Sequence, residues 1–310
     1  MRKIKMKKYW KIILFFIVVV LLVADFMAVS NFFEVSQVRN DDKVGQVKKD
    51  SPNYSLVEKF DQLEKVEMTM THDNLEQKAW YVPAEKKTNQ TVIVVHGYRS
   101  DKTAMRQYGQ LFHELGYNVL MPDNRAAGES EGQLISYGFW EKYDLISWAN
   151  QLVADTPTVD ITLFGLSMGA ATVMMASSEE SLPSNVQRVI EDCGYSNVWD
   201  ETVYQGKQMY DIPTEPFLYQ VSAMSKIRDG WFYQEADVMK ALAKNELPIL
   251  LIHGDKDDYV PTAMLTENYN AVKKGTAKEK LLVKGAEHAK SFETNPELYR
   301  QTISAFLKKY

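Results

Sequence analysis

Ile161-Thr162-Leu163-Phe164-Gly165-Leu166-Ser167-Met168-Gly169-Ala170-Ala171-Thr172-Val173-Met174 decides how the rest of the chain is read. Ile161–Phe164 is apolar and β-branched in the manner of a buried strand. Ala170–Met174 reads as a close-packed helix. Between them lies Gly-x-Ser-x-Gly in a strand–turn–helix setting, where the two glycines permit a cramped turn that lifts the Ser167 hydroxyl above the sheet edge. The following helix aims its N-terminal N–H groups at that point, which favours a developing negative charge. A serine hydroxyl is a poor nucleophile by itself, so this reading requires a base within hydrogen-bond reach and an acid to orient the base.

Outward from this segment the pattern alternates. Short strand-like runs fall at Val66–Met70, Ala79–Val82, Thr91–Val95, Asn118–Met121, Ile161–Phe164, Val189–Asp192, Ile249–Ile252 and Lys280–Val283. Segments of helical period separate most of them: Thr103–Leu115, Tyr137–Ala154, Ala170–Ser178, Thr262–Lys273 and Pro296–Lys308. Alternation of this kind predicts an α/β fold with a mostly parallel sheet of about eight strands and helices on both faces. The first two runs lie close together without a helix, which predicts an antiparallel hairpin at one edge. Gly194–Leu247 is too long for a simple crossover and is rich in aromatic residues. It is read as a cap at about residues 195–245, with Tyr195, Trp199 and Trp231 as candidate walls of a substrate pocket.

The chain has five histidines. His72 precedes Asp73-Asn74 at an expected hairpin tip, His113 falls within a helix, and His96 and His253 end strands in His-Gly pairs. His288 lies in a loop after the last strand, the end of an open α/β sheet where catalytic groups gather, and is the candidate base. The acid should leave a neighbouring strand end, where Asp255, Asp257 and Asp258 compete. Oxyanion donors are expected from the N–H of Met168, directly after the nucleophile, and from Tyr98 in His96-Gly97-Tyr98. The histidines are not spaced as a metal site, and the chemistry requires neither metal nor organic cofactor.

These residues together resemble the α/β-hydrolase superfamily over about residues 64 to 310. The order His96-Gly97-Tyr98, Asp123-x-Arg125-x-x-Gly128-x-Ser130, Gly165-x-Ser167-x-Gly169, His253-Gly254-x-x-Asp257-x-x-Val260-Pro261 and His288 is the family's order. The family pattern selects Asp257 as the orienting acid. The Asp123 segment is similar to that of the serine aminopeptidase/monoacylglycerol-lipase-like branch, with Ala126 where a glycine is usual, and bacterial membrane-anchored members are the nearest in character. The resemblance implies the α/β-hydrolase fold, a serine mechanism and a cap. Members of the branch divide among esters, lipids and peptides as substrates.

Ile12–Val23 is an unbroken apolar run, interrupted by Asp25 and resumed at Phe26–Val29. It is close to the roughly 20 residues a membrane-spanning helix needs. Residues 1–30 are therefore expected to form a signal-anchor, with a cleaved signal peptide ending near Ser30 as the alternative. Arg2, Lys3, Lys5, Lys7, Lys8 and Lys11 would keep the N-terminus cytoplasmic and put the body outside. Removing those six from 36 basic residues leaves 30 against 41 acidic, a balance of −11 that argues against a nucleic-acid partner. Residues 31–63 read as a linker. The single cysteine, Cys193, excludes an intramolecular disulfide and is expected in the core. The expected activity is cleavage of a small-molecule ester or acyl substrate. A serine aminopeptidase is the nearest alternative, with Glu191, Asp192 or Glu201 available to bind an amine. A non-catalytic membrane scaffold on the same fold is the rival from another class. Oligomeric state is not legible in the sequence.

Overall fold

The computed structural model describes residues 2–40, 44–210 and 214–310. One eight-stranded sheet organises it, from β1 (Val66–His72), β2 (Leu75–Val82), β3 (Gln90–Val95), β4 (Asn118–Pro122), β5 (Asp160–Leu166), β6 (Val186–Asp192), β7 (Ile249–Gly254) and β8 (Lys278–Val283). The strand order is β1-β2-β4-β3-β5-β6-β7-β8. β1 and β2 form the expected edge hairpin, turning through Asp73 and Asn74, both at positive φ. β2 pairs antiparallel with β4, and every later pairing is parallel.

The apolar runs form strands because both faces of the sheet are covered. In β3, Ile93 and Val95 point to one core while Val92 and Val94 point to the other. In β7, Ile249 and Leu251 alternate with Leu250 and Ile252 in the same way. The first core is closed by α4 (Glu141–Asp155), α5 (Met168–Ala176), α8 (Val238–Leu242) and α9 (Ala263–Ala271). The second is closed by α2 (Tyr54–Asp61), α3 (Arg106–Glu114) and α11 (Pro296–Lys309). Every residue of α5 is buried, so its small side chains are what let it lie against the strands.

Between β6 and β7 the chain builds the helical insertion: α6 (Val198–Tyr210), a π turn at Thr214–Leu218, α7 (Tyr219–Asp229), a 3-10 turn at Tyr233–Glu235, and α8. α6 reaches over the loop after β7, where the Tyr204 hydroxyl donates to Asp258 O at 3.0 Å.

The N-terminal region differs from its reading as anchor plus linker. α1 runs unbroken from Arg2 to Gln37. Within Tyr9–Gln37 the most apolar 18-residue window has a mean hydropathy of 3.1 and is almost wholly uncovered by protein. Length and composition suit a membrane anchor and a signal sequence alike. The expected linker, residues 31–63, instead contains the last turns of α1 and all of α2, and buries Phe33, Gln37, Asn53, Val57 and Phe60. Its polar composition hid these residues, whose apolar members pack at helical spacing onto the α/β body; α2 lies against α3. Residues 41–43 of that segment lie outside the described residues.

Candidate active site

Ser167 occupies a sharp left-handed turn, φ 57° and ψ −118°, between β5 and α5. Its own N–H donates to Asp192 O at 2.8 Å, fixing the turn against β6. The flanking glycines are steric necessities. A Cβ on Gly165 would lie 2.1 Å from Gly169 O, and one on Gly169 would lie 2.3 Å from Val95 O. The strained serine backbone is held by packing on both sides.

The loop between β8 and α10 (Ser291–Thr294) carries His288, and the loop between β7 and α9 carries Asp257. Ser167 Oγ lies 2.9 Å from His288 Nε2, and His288 Nδ1 lies 2.8 Å from Asp257 Oδ2. The tautomer consistent with both bonds has the proton on Nδ1, donating to Asp257, and the Nε2 lone pair facing the serine hydroxyl. Tyr259 packs its ring 4.9 Å from the imidazole, which remains one-fifth exposed (21%).

Asp257 stands apart from its two neighbours. Its Oδ1 accepts from the N–H of Tyr259 at 3.0 Å and of Val260 at 2.9 Å. Its Oδ2 faces His288 and also His253 Nε2, 3.2 Å away. Burial opposes its ionisation, but hydrogen bonds from His253 and His288 prevail and hold the carboxyl down at about 2. Asp255 accepts from Gly285 N at 2.6 Å and ties the two loops together, while Asp258 is exposed.

Gly97 sets the loop after β3 against Ser167, since a Cβ there would lie 3.3 Å from both Leu166 O and Ser167 Cβ. Of the two expected oxyanion donors, Tyr98 directly follows Gly97 and Met168 directly follows Ser167 at the start of α5. His96 braces this loop: its Nδ1 lies 2.8 Å from Gly97 O and its Nε2 accepts from Asn124 N at 2.9 Å. The Asp123 segment is likewise a brace. Buried Asp123 accepts from the backbone of Lys102 and Glu129, both at 2.8 Å. Arg125 Nε and Nη2 reach Asp144 at 2.6 and 2.8 Å. Ala126 adopts φ 57°, the left-handed conformation that explains why a glycine is usual there.

The expected pocket residues divide. Trp199 is partly exposed, with its ring 4.5 Å from Tyr219. Tyr195 is 5% exposed and donates its hydroxyl to Tyr137 O at 2.6 Å. Trp231 has no accessible surface and stacks on Phe139 at 5.2 Å and Tyr233 at 5.4 Å. The reading of Trp231 as a pocket wall is corrected: it is core, because three facing rings and an indole N–H bond to Asp229 at 2.6 Å bury it completely.

Two further groups lie near the site: His253, whose bond to Asp257 sequence reasoning missed, and Glu201, which the sequence offered only as a possible amine site. His253 is fully buried and bonds Asp257, and the signal was available as its i,i+4 spacing from that acid. Glu201, on α6, is 8% exposed with Oε2 unpaired, and burial pushes its carboxyl up to about 8. Glu191 and Asp192 have no exposed surface; burial raises them to about 8 and about 6. Cys193, Asp257 and His288 bring potential ligand atoms within 4.8 Å of one another. Burial pushes the Cys193 thiol well up, away from the thiolate form a metal takes.

Fold, elbow and strand-end loops define the class. The chain belongs to the α/β-hydrolase superfamily, in its serine aminopeptidase/monoacylglycerol-lipase-like branch. Residues 86–199 match the family described as "Serine aminopeptidase, S33". The uncharacterized protein YqkD of Bacillus subtilis is 30% identical over 263 residues, which cover 84% of this chain and 85% of that one. The uncharacterized protein YfhR of Escherichia coli (strain K12) is 23% identical over 249 residues, covering 79% and 80%. Among solved structures, the Pyrococcus furiosus esterase Pf2001 superposes with a TM-score of 0.68 at 24% identity, over 89% of this chain and 99% of that one, and so shares the fold.

Proposed function

We propose that this hydrolase cleaves carboxylic esters through an acyl-enzyme formed on Ser167. The observation that carries the reading is the unbroken hydrogen-bond chain from Ser167 Oγ to His288 and on to Asp257. Ser167 Oγ attacks the ester carbonyl carbon while His288 Nε2 takes its proton. The N–H groups of Tyr98 and Met168 receive the oxyanion. Collapse breaks the bond to the alkoxy group, which leaves with the proton from His288. Water, deprotonated by the same imidazole, then cleaves the acyl-serine and returns the proton to Ser167. Asp257 holds the productive tautomer and stabilises the imidazolium.

The ester reading is preferred over an aminopeptidase because an amine needs an anion to receive it. Glu191 and Asp192 have no exposed surface. Glu201 is the acid of the three with surface to offer, and at about 8 it is largely uncharged at neutral pH. The N-terminal helix supports a membrane-anchored protein whose lysine-rich end stays cytoplasmic and whose hydrolase body lies outside.

The test is a panel of p-nitrophenyl esters and aminoacyl anilides on the full-length chain, wild type beside Ser167→Ala, with fluorophosphonate labelling. Ester turnover and labelling that both vanish in Ser167→Ala are expected. Turnover of the anilides in preference to the esters would move the assignment to a peptidase. Absence of Ser167-dependent labelling would leave a non-catalytic scaffold.

A further inference from the structure

An α-helix ends with four carbonyl groups that have no partner within it. A helix serving only as a tether leaves them to water. In α1 they meet protein. Glu34 O accepts from Val38 N at 3.3 Å, within the same segment. The other three are taken by the hydrolase body. Val35 O accepts from the Arg99 guanidinium. Ser36 O accepts from the hydroxyls of Tyr98 at 2.6 Å and Tyr137 at 2.9 Å. Gln37 O accepts from Ile135 N at 2.7 Å. The Gln37 side chain is fully buried and saturates the socket: Oε1 accepts from Tyr233 OH at 3.0 Å, and Nε2 donates to Ile135 O at 3.1 Å.

Two of these donors, Tyr98 and Arg99, belong to the loop whose backbone faces Ser167. The chain leaving α1 grips the same loop again, through Val44 N to Arg99 O at 3.0 Å. Arg39 donates to Ser130 O and Gly128 O, both at 2.6 Å, and so reaches the neighbouring loop after β4. Arg99 itself sits at φ 52°, a conformation a non-glycine residue keeps only when its surroundings impose it.

We infer that the C-terminal turn of α1 is a positioning element of the catalytic site, which holds the Tyr98–Arg99 loop so that the Tyr98 N–H meets the oxyanion. The anchor and the catalytic machinery are then one mechanical unit. This inference rests on the serine-hydrolase reading. Its specific consequence is that loosening the socket weakens transition-state binding and leaves ground-state binding nearly unchanged.

The experiment uses the full-length chain in detergent micelles. Tyr98→Phe removes the shorter of the two hydroxyl bonds to Ser36 O, and the one from the loop itself, but keeps the ring and the backbone N–H. Phe33→Ala loosens the helix from the body without altering the loop. Active sites are counted by fluorophosphonate titration. Per titrated site, kcat for a p-nitrophenyl ester should fall about 10-fold or more in both variants, with KM within about 2-fold of wild type. Affinity for an alkyl boronic acid, which presents a tetrahedral oxyanion, should fall in parallel with kcat. If Phe33→Ala fails to fold, Tyr98→Phe decides alone. Wild-type kcat per titrated site in Tyr98→Phe overturns the inference, as does a loss confined to KM. An inactive, unlabelled wild type is a different result, which removes the serine-hydrolase reading and this inference with it.

Discussion

Replacing Asp257 by asparagine separates geometry from charge at one atom. Oδ1 of Asp257 accepts two backbone N–H groups, from Tyr259 and Val260. An amide at this position must keep its oxygen there, because turning its NH2 toward two donors would leave three polar groups unsatisfied in a buried turn. The NH2 then occupies the place of Oδ2 and faces His288 Nδ1 and His253 Nε2. A donating amide forces His288 to accept at Nδ1, which moves the ring proton to Nε2. That nitrogen then points a proton, not a lone pair, at Ser167. The base is present in the wrong tautomer, and kcat should fall by about 10⁴, or about 5 kcal/mol of barrier. His253 Nε2 must still donate to Val260 O, 3.0 Å away, and now meets a second donor. The stability cost should be about 1–3 kcal/mol, too little to explain the lost rate. Ester hydrolysis per folded molecule, fluorophosphonate labelling rate and thermal unfolding are the measurements. An Asp257→Asn variant within about 10-fold of wild-type kcat would refute the tautomer argument and the assignment of His288 as base.

Glu191 supplies a pH signature. Its folded carboxyl is raised by burial from an ordinary 4.5 to about 8, so between those values the folded state holds a proton that the unfolded state has released. Stability attributable to this group therefore declines as pH rises from about 4.5 through about 8, and Glu191→Gln should flatten that decline in unfolding midpoints compared at pH 5 and pH 8.5. The buried Arg125–Asp144 pair braces the loop after β4, with side chains 9% and 3% exposed. Asp144→Ala should cost about 3–5 kcal/mol in denaturant unfolding, because it leaves the buried guanidinium with only the exposed Asp73, 3.3 Å away, as a carboxylate partner. Gly169→Ala drives a methyl against Val95 O and should cost about 3 kcal/mol while leaving all three side chains of the proposed relay intact. Wild-type stability in that variant would show that the elbow is looser than its contacts imply.

The sheet was legible because strands buried on both faces carry unbroken apolar runs, and the elbow because its glycines and serine have one steric solution. The His288 position could be argued from its place after the last strand. Choosing Asp257 among three acids needed the family pattern, since the backbone N–H pair that marks it out exists only once the turn is folded. The end of α1 was illegible for a related reason. Ser36 and Gln37 read as polar residues leaving a membrane, and their partners Tyr98, Tyr137 and Tyr233 lie far away in sequence. Trp231 was misread because aromatic residues in an insertion serve a pocket or a core equally well, and composition does not distinguish the two.

Around His288 and His253 the structure arranges several carboxyl groups, and the number of donors each receives sorts their charges. Asp257 receives two backbone N–H groups and two imidazoles, and is held at about 2. Glu191 receives the N–H of Gly194 at 2.9 Å, and Glu201 the amide of Gln205 at 3.1 Å; burial lifts both to about 8. Asp257 is therefore charged at neutral pH, and Asp192, raised to about 6 by burial, is mostly so, while Glu191 and Glu201 are largely protonated. The difference matters for a general base. Each further buried anion beside an imidazole favours its imidazolium form, which cannot accept from a serine hydroxyl. The anion bonded to Nδ1, Asp257, is placed to orient the ring and to stabilise charge on it. Divergent environments for neighbouring acids are the pattern expected where one of them assists proton transfer, and in the proposed mechanism that one is Asp257.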